Sequence, residues 1–155
     1  MRKSIAPLPN ASTISPAADG WLDLQQIASA VISSEDPLHP FENALQADGG
    51  WRAADPGPQV IRLNFYAPQS IRRIRVEFRE EHRERAQEFA VFATSAANHR
   101  REIVRQQWTF SPGGSSTEVE DYSVDLPAIL SLELEIDPGR HDRTAMATLE
   151  SISVA

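Results

Sequence analysis

The charged side chains of this 155-residue sequence are its first chemical signal. Residues 72–105 hold nine arginines against six glutamates, a local balance of +3, whereas residues 106–155 hold nine acids against two arginines. A guanidinium offers a planar fork of donors to carboxylates and hydroxyls, so this central third is where a small anionic or hydroxylated ligand would be sought. The net charge of −7 opposes general affinity for a phosphate backbone, and Lys3 is the sole lysine, which makes nucleic acid the weakest of the partner classes. Nothing resembles a catalytic set: no Ser, His and Asp at a recognisable spacing, no Gly-rich phosphate loop, no His pair of the HExxH type. The chain therefore reads as non-catalytic. The acids Glu118, Glu120 and Asp121 follow "SPGGSST" and read as the solvated face of a hairpin.

Elements of some kind must position these groups, and the composition points to strands. With 41% apolar and 7% aromatic residues the chain is long enough for one domain with a real core. Short runs rich in β-branched and aromatic residues recur: "VIRLNF" (60–65), "SIRRIRVEF" (70–78), "EFAVFAT" (88–94), "EIVRQQWTF" (102–110), "DYSVDL" (121–126), "LSLELEI" (130–136) and "ATLESISV" (147–154). Each is bounded by Pro, Gly or polar clusters such as "DPGPQ" and "DPGR". Leu130, Leu132, Leu134 and Ile136 alternate with Ser131, Glu133 and Glu135, the period of two that buries one face and wets the other. Adding "LDLQQIASAVIS" (22–33) as an opening strand or two gives about eight strands and an all-β, antiparallel jelly-roll sandwich over residues 21–155. "REEHRERAQEF" lacks an apolar stripe and reads equally as a loop or a helical turn. Residues 1–20, with Pro7, Pro9 and Pro16, read as a tail or a strap. No signal-peptide core, apolar span or cysteine is present, which leads to the expectation of a cytoplasmic protein that does not enter a membrane.

The stretch "ASAVISSEDPLHPFENALQADGGWRA", followed by "QVIRLNF", "SIRRIRVEF", "EFAVFATS" and a closing "ATLESISV", resembles the pattern of discoidin (coagulation factor 5/8 type C) domains over residues 21–155. Within that superfamily, "SSEDPLHP" and "ENALQADGGWRAA" are most similar to the amino-terminal domain of the X-ray repair cross-complementing scaffold protein. The resemblance implies a galactose-binding-like sandwich that binds through loops at one end. Those loops would be residues 34–42, "QADGG", 79–87 and 137–143, gathering His39, Arg79, His82, Arg83, Arg85, Arg140 and His141 as donors to a ligand. Two of these have plainer readings: 79–87 as a self-paired Glu/Arg surface, and His39 before Pro40 as a satisfied turn residue. Phe41 is the one aromatic of these loops that would serve as a stacking platform.

The same resemblance raises a structural calcium ion, since many related sugar-binding modules hold one behind the "NAL" segment. Here Gln46 stands where the first metal aspartate is usual, leaving Asp48 and Glu150 as carboxylates against the six to eight oxygens calcium takes. No other cofactor is required. On the residues alone, Asn43 fixes a turn through its own backbone, Gly49 and Gly50 allow positive φ, and Trp51 plugs the core, with Trp21 and Trp108 read the same way. Two functions follow. One is a module binding carbohydrate or another small polar ligand; the other is a protein-interaction or assembly module, with the proline-rich first 20 residues ordering on a partner.

Overall fold

The computed structural model describes Arg2–Lys3 and residues 20–155. The strap expected over residues 1–20 therefore lies almost wholly outside the described residues. In chain order the elements are β1 (Arg2–Lys3), α1 (Leu24–Ile27), β2 (Ala28–Ile32), α2 (Glu42–Gln46), β3 (Trp51–Pro56), β4 (Gln59–Arg79), β5 (Arg85–Ser95), β6 (Arg100–Phe110), β7 (Thr117–Asp137), β8 (Met146–Leu149) and β9 (Ser151–Val154).

Two long strands make the sandwich. The first half of β4 pairs antiparallel with β2 on one side and with the second half of β7 on the other, and that half of β7 continues to β5 and β6. The second half of β4 pairs with the first half of β7 and with β9. Both strands thus leave one face of the sandwich and enter the other. The crossing is visible as register shifts between Asn64 and Arg73 and as Ala128, held at φ +53° just after Pro127. A separate ribbon of β3 and β8 covers the end where β4 finishes. The fold is the all-β antiparallel sandwich expected from the sequence, but "VIRLNF" and "SIRRIRVEF" are one strand rather than two, as are "DYSVDL" and "LSLELEI". Local alternation marks a strand well; a bend through a bulge does not end one.

The alternation decides what is buried. Ile61 and Leu63 in the first half of β4, and Ile74, Val76 and Phe78 in the second, point inward with Arg62 and Arg73 outside. Phe78 from one face meets Phe89 from the other with ring centroids 5.0 Å apart, close enough to add to their area burial. Trp51 is fully buried and its indole N–H donates to the Ser34 carbonyl at 3.2 Å, as a core plug must. The opening "LDLQQI" is a single turn of helix (α1) and the strand begins at Ala28, because Leu24 and Ile27, three apart, both reach the core. "ENALQ" forms α2, ended by Ala47 at φ +51°, with the Asp48 N–H bonding the Asn43 carbonyl. Gly50, at φ +72°, then passes so close to β8 that a Cβ there would lie 2.8 Å from the Leu149 carbonyl oxygen. Only glycine fits both demands.

Candidate functional site

The end of the sandwich closed by β3 and β8 carries a concave site. The turn Asp36–Phe41, the start of β3, the last residues of β4 and the residues joining β8 to β9 meet around a pocket of about 130 Å³ lined by His39, Gly49, Trp51, Arg52, Arg79–His82 and Thr148–Glu150. Backbone hydrogen bonds fix its walls: Asp36 N–H to the Arg52 carbonyl at 2.9 Å, Arg52 N–H to the His39 carbonyl at 3.2 Å, and Glu150 N–H to the Glu77 carbonyl at 2.8 Å. His39 Nδ1 lies 3.3 Å from Asp36 Oδ2. Asp36 ionises below the usual carboxylate range, chiefly because it accepts the Leu38 N–H, and so remains a constant partner for that ring. Arg79 stands 3.7 Å from Glu150, a loose pair that leaves donors of the guanidinium available. The Glu81 and His82 side chains lie exposed on the rim. Two imidazoles, two guanidiniums and the carboxylates of Glu81 and Glu150 thus converge on a shallow hollow, a donor and acceptor set suited to vicinal hydroxyls.

Beneath this hollow lies a buried tie. The Arg85 side chain is 0% exposed; its Nε bonds Glu80 at 2.8 Å, Nη1 bonds Gln87 at 2.8 Å and the Pro138 carbonyl at 3.0 Å, and Nη2 bonds Thr148 at 3.3 Å. Its guanidinium also lies 4.6 Å from the Phe110 ring centroid. Burial alone would raise the Glu80 carboxyl, yet the Arg85 bond and the His82 and Arg83 N–H groups bring it below its ordinary value. One side chain therefore links the 79–87 loop, the 137–143 loop and β8. Gln87, fully buried, passes the chain on to Glu118 at 3.3 Å.

The residues expected at this end separate accordingly. His39, Arg79 and His82 come together in the pocket. Arg83 lies beside them but is ion-paired with Asp142 across the loops. Arg85 begins β5 and faces inward as part of the buried tie, so it is no direct donor to a ligand from solvent. Arg140, in the turn after β7, lies 3.6 Å from Glu88 of β5, beside Arg105 and Arg143 rather than in the hollow. His141 is exposed next to Asp142. Phe41 is 0% exposed and belongs to the core, which corrects its reading as a stacking platform. The apolar side chain that does project from this loop is Leu38, at 81% exposure, and the sequence offered only its place before His39 as a hint. Arg52, from the start of β3, lines the site as well.

Glu118 is a second correction. It is 0% exposed rather than solvated, since its place opposite Phe78 in the β4–β7 pairing turns it to the core. Burial, reinforced by Glu120, pushes its carboxyl up to about 7. Asp121, facing the other way, takes both donors of Arg73 at 2.8 and 2.6 Å. As to calcium, Asp48 is exposed at the end of α2 and Glu150 faces Arg79, and among the described residues no three Asp, Glu or His side chains converge as a metal group. Calcium also takes backbone and amide carbonyl oxygens, and no role is derived for the ion.

No protein-family model matches the sequence, and no curated protein matches it. Solved structures do resemble it. The family 32 carbohydrate-binding module of C. perfringens NanJ, in complex with galactose, superposes with a TM-score of 0.66 at 14% identity, covering 86% of this chain and 96% of that one. A further family 32 module from Clostridium perfringens, in complex with GalNAc-β-1,3-galactose, gives 0.62 at 16% identity, covering 86% and 98%. A pectin-binding carbohydrate-binding module gives 0.60 at 18% identity, covering 83% and 90%. These likenesses establish the fold as the galactose-binding-like sandwich that family 32 modules share with discoidin domains. Among the described residues no helix is long and apolar enough to cross a membrane.

Proposed function

We propose that this chain is a non-catalytic carbohydrate-binding module that holds a sugar in the hollow formed by His39, Arg52, Arg79 and His82. The observation that carries the reading is the convergence of imidazole and guanidinium donors from the turn at His39, the start of β3 and the end of β4 with its following loop, on one rigid end, with Glu81 and Glu150 as acceptors. Hydroxyl pairs of a sugar need donors and acceptors a few ångströms apart, held in place before binding so that little ordering remains to oppose it. Leu38, exposed beside the hollow, gives an apolar surface for the C–H side of a ring. Support comes also from the fold, since the similar structures include modules solved with galactose and with GalNAc-β-1,3-galactose.

The site is shallow and small, so affinity rests on few contacts and falls in the weak range expected of a single sugar. Binding by the purified protein on a glycan array, lost in Arg79→Ala and in His39→Ala but retained in Arg140→Ala, is the expected result. An array without a hit would overturn the carbohydrate reading and turn attention to protein assembly. A hit equally abolished by Arg140→Ala would move the site to the sheet face.

A further inference from the structure

A different pocket, of about 240 Å³, opens where β7 bends and the β5–β6 hairpin turns back. Its floor is Ala93, Leu126, Pro127 and Ile129; its polar rim is Ser95, His99, Arg101 and Asp125. Arg101 breaks the pattern of its strand. It pairs with Ala93, whose side chain is buried, so register places the arginine on the core-facing side of β6 where an apolar residue would close the sandwich. No ion pair or hydrogen bond holds the Arg101 or His99 side chain among the described residues, whereas Arg73, Arg85, Arg100 and Arg105 all have carboxylate partners. Asp125 stays largely in water, with only Arg72 at 3.8 Å. The walls are tied together, for the Ala96 N–H bonds the Ala128 carbonyl at 2.7 Å and the Ser95 N–H bonds the His99 carbonyl at 3.0 Å.

We propose that this pocket is a second binding site and that it takes a small hydroxylated carboxylate, a sugar acid or hydroxy acid. The free guanidinium fork of Arg101 matches a carboxylate in bidentate geometry. His99 adds a donor, Asp125 and Ser95 accept from hydroxyls, and the apolar floor receives the carbon face of the ligand. Asp125 also disfavours a dianion, which separates this ligand class from phosphate esters. The site is built from β5, β6 and the bend of β7, and shares no residue with the hollow at His39 and Arg79, so it stands or falls independently of the function proposed above.

The test is a titration of isotope-labelled full chain with glucuronate, followed by amide NMR, with glucose and acetate as parallel arms. Saturable shifts at Ser95, His99, Arg101 and Asp125 with glucuronate, at least tenfold weaker with glucose and with acetate, are expected. Arg101→Gln should abolish them while leaving the thermal midpoint unchanged, and Arg79→Ala should not affect them. Inward charges on an edge strand also guard against strand-to-strand aggregation. An Arg101→Gln protein that aggregates, together with wild-type amides that do not respond to glucuronate, would assign Arg101 that protective role and overturn the proposal. Shifts of equal size with glucose and glucuronate would overturn the assignment to carboxylates.

Discussion

Replacing Arg85 by alanine removes the one group that joins two loops and β8 behind the hollow. In the folded protein its guanidinium is wholly buried and serves four acceptors, on Glu80, Gln87, Pro138 and Thr148. Alanine leaves the Glu80 carboxylate, at 13% side-chain exposure, without its cation, and the Gln87 and Pro138 oxygens without a donor. Breaking a buried pair by removing one partner costs about 3–5 kcal/mol, because the remaining charge stays desolvated. The orphaned neutral acceptors contribute about 1 kcal/mol each, but they belong to the same network and do not simply add. A loss of about 3–5 kcal/mol is therefore expected, within the ~5–15 kcal/mol that a domain commonly holds, so the variant still folds. Equilibrium urea unfolding measures it. Pairing Arg85→Met with Glu80→Gln should recover much of the loss, since neither charge is then stranded, and the cycle should show coupling well above 1 kcal/mol. An Arg85→Ala protein within about 1 kcal/mol of the parent, additive with Glu80→Gln, would refute the idea that this side chain ties the loops together.

Other outcomes follow from the same structure. The Glu118 carboxyl, ordinarily near 4.5, is pushed up to about 7 in the fold. Below both values each state holds the proton and there is no cost. Between them the unfolded chain gives it up first, so stability falls as pH rises, by up to about 3 kcal/mol, and levels off above pH 7. Unfolding free energies measured from pH 4 to 8 should show this slope in the parent and lose it in Glu118→Gln; a parent slope unchanged in the variant would mean the proton sits elsewhere. Gly50→Ala should cost about 1–3 kcal/mol by denaturant melt, from left-handed φ and the 2.8 Å approach to the Leu149 oxygen. An unchanged midpoint would mean the backbone yields there. Arg73→Ala, which removes a bidentate but exposed pair with Asp121, should cost no more than about 1 kcal/mol in the same melt.

Strand content and burial were legible because they depend on alternation, which survives in Leu132–Ile136 and in Ile74–Phe78; just after the bend at Ala128 it is inverted, with Leu130 exposed and Ser131 buried. What could not be read was how β4 and β7 cross between faces, since a bulge at Gln69 or a bend at Ala128 has no signature apart from its neighbours in space. The same limit governed the site. The sequence put His39, Arg79 and His82 at one end, and they line one hollow there, because His39 and His82 lie on turns and Arg79 ends β4, where side chains leave the sheet toward solvent. Arg85 and Glu118 were misjudged because both sit next to turn-like sequence, yet each is already in a strand with a register that points it inward. A charge beside a loop reads as wet until the register is known. Leu38 and Phe41 show the converse, the smaller apolar residue outside and the aromatic in the core.

The most direct measurement of the central claim is amide NMR of the labelled protein titrated with galactose and with the strongest glycan from the array. The account predicts saturable shifts at His39, Arg52, Arg79, His82 and Glu150, absent in Arg79→Ala. Shifts centred on Glu88, Arg105 and Arg140 across the sheet face, or none at saturating sugar, would contradict it.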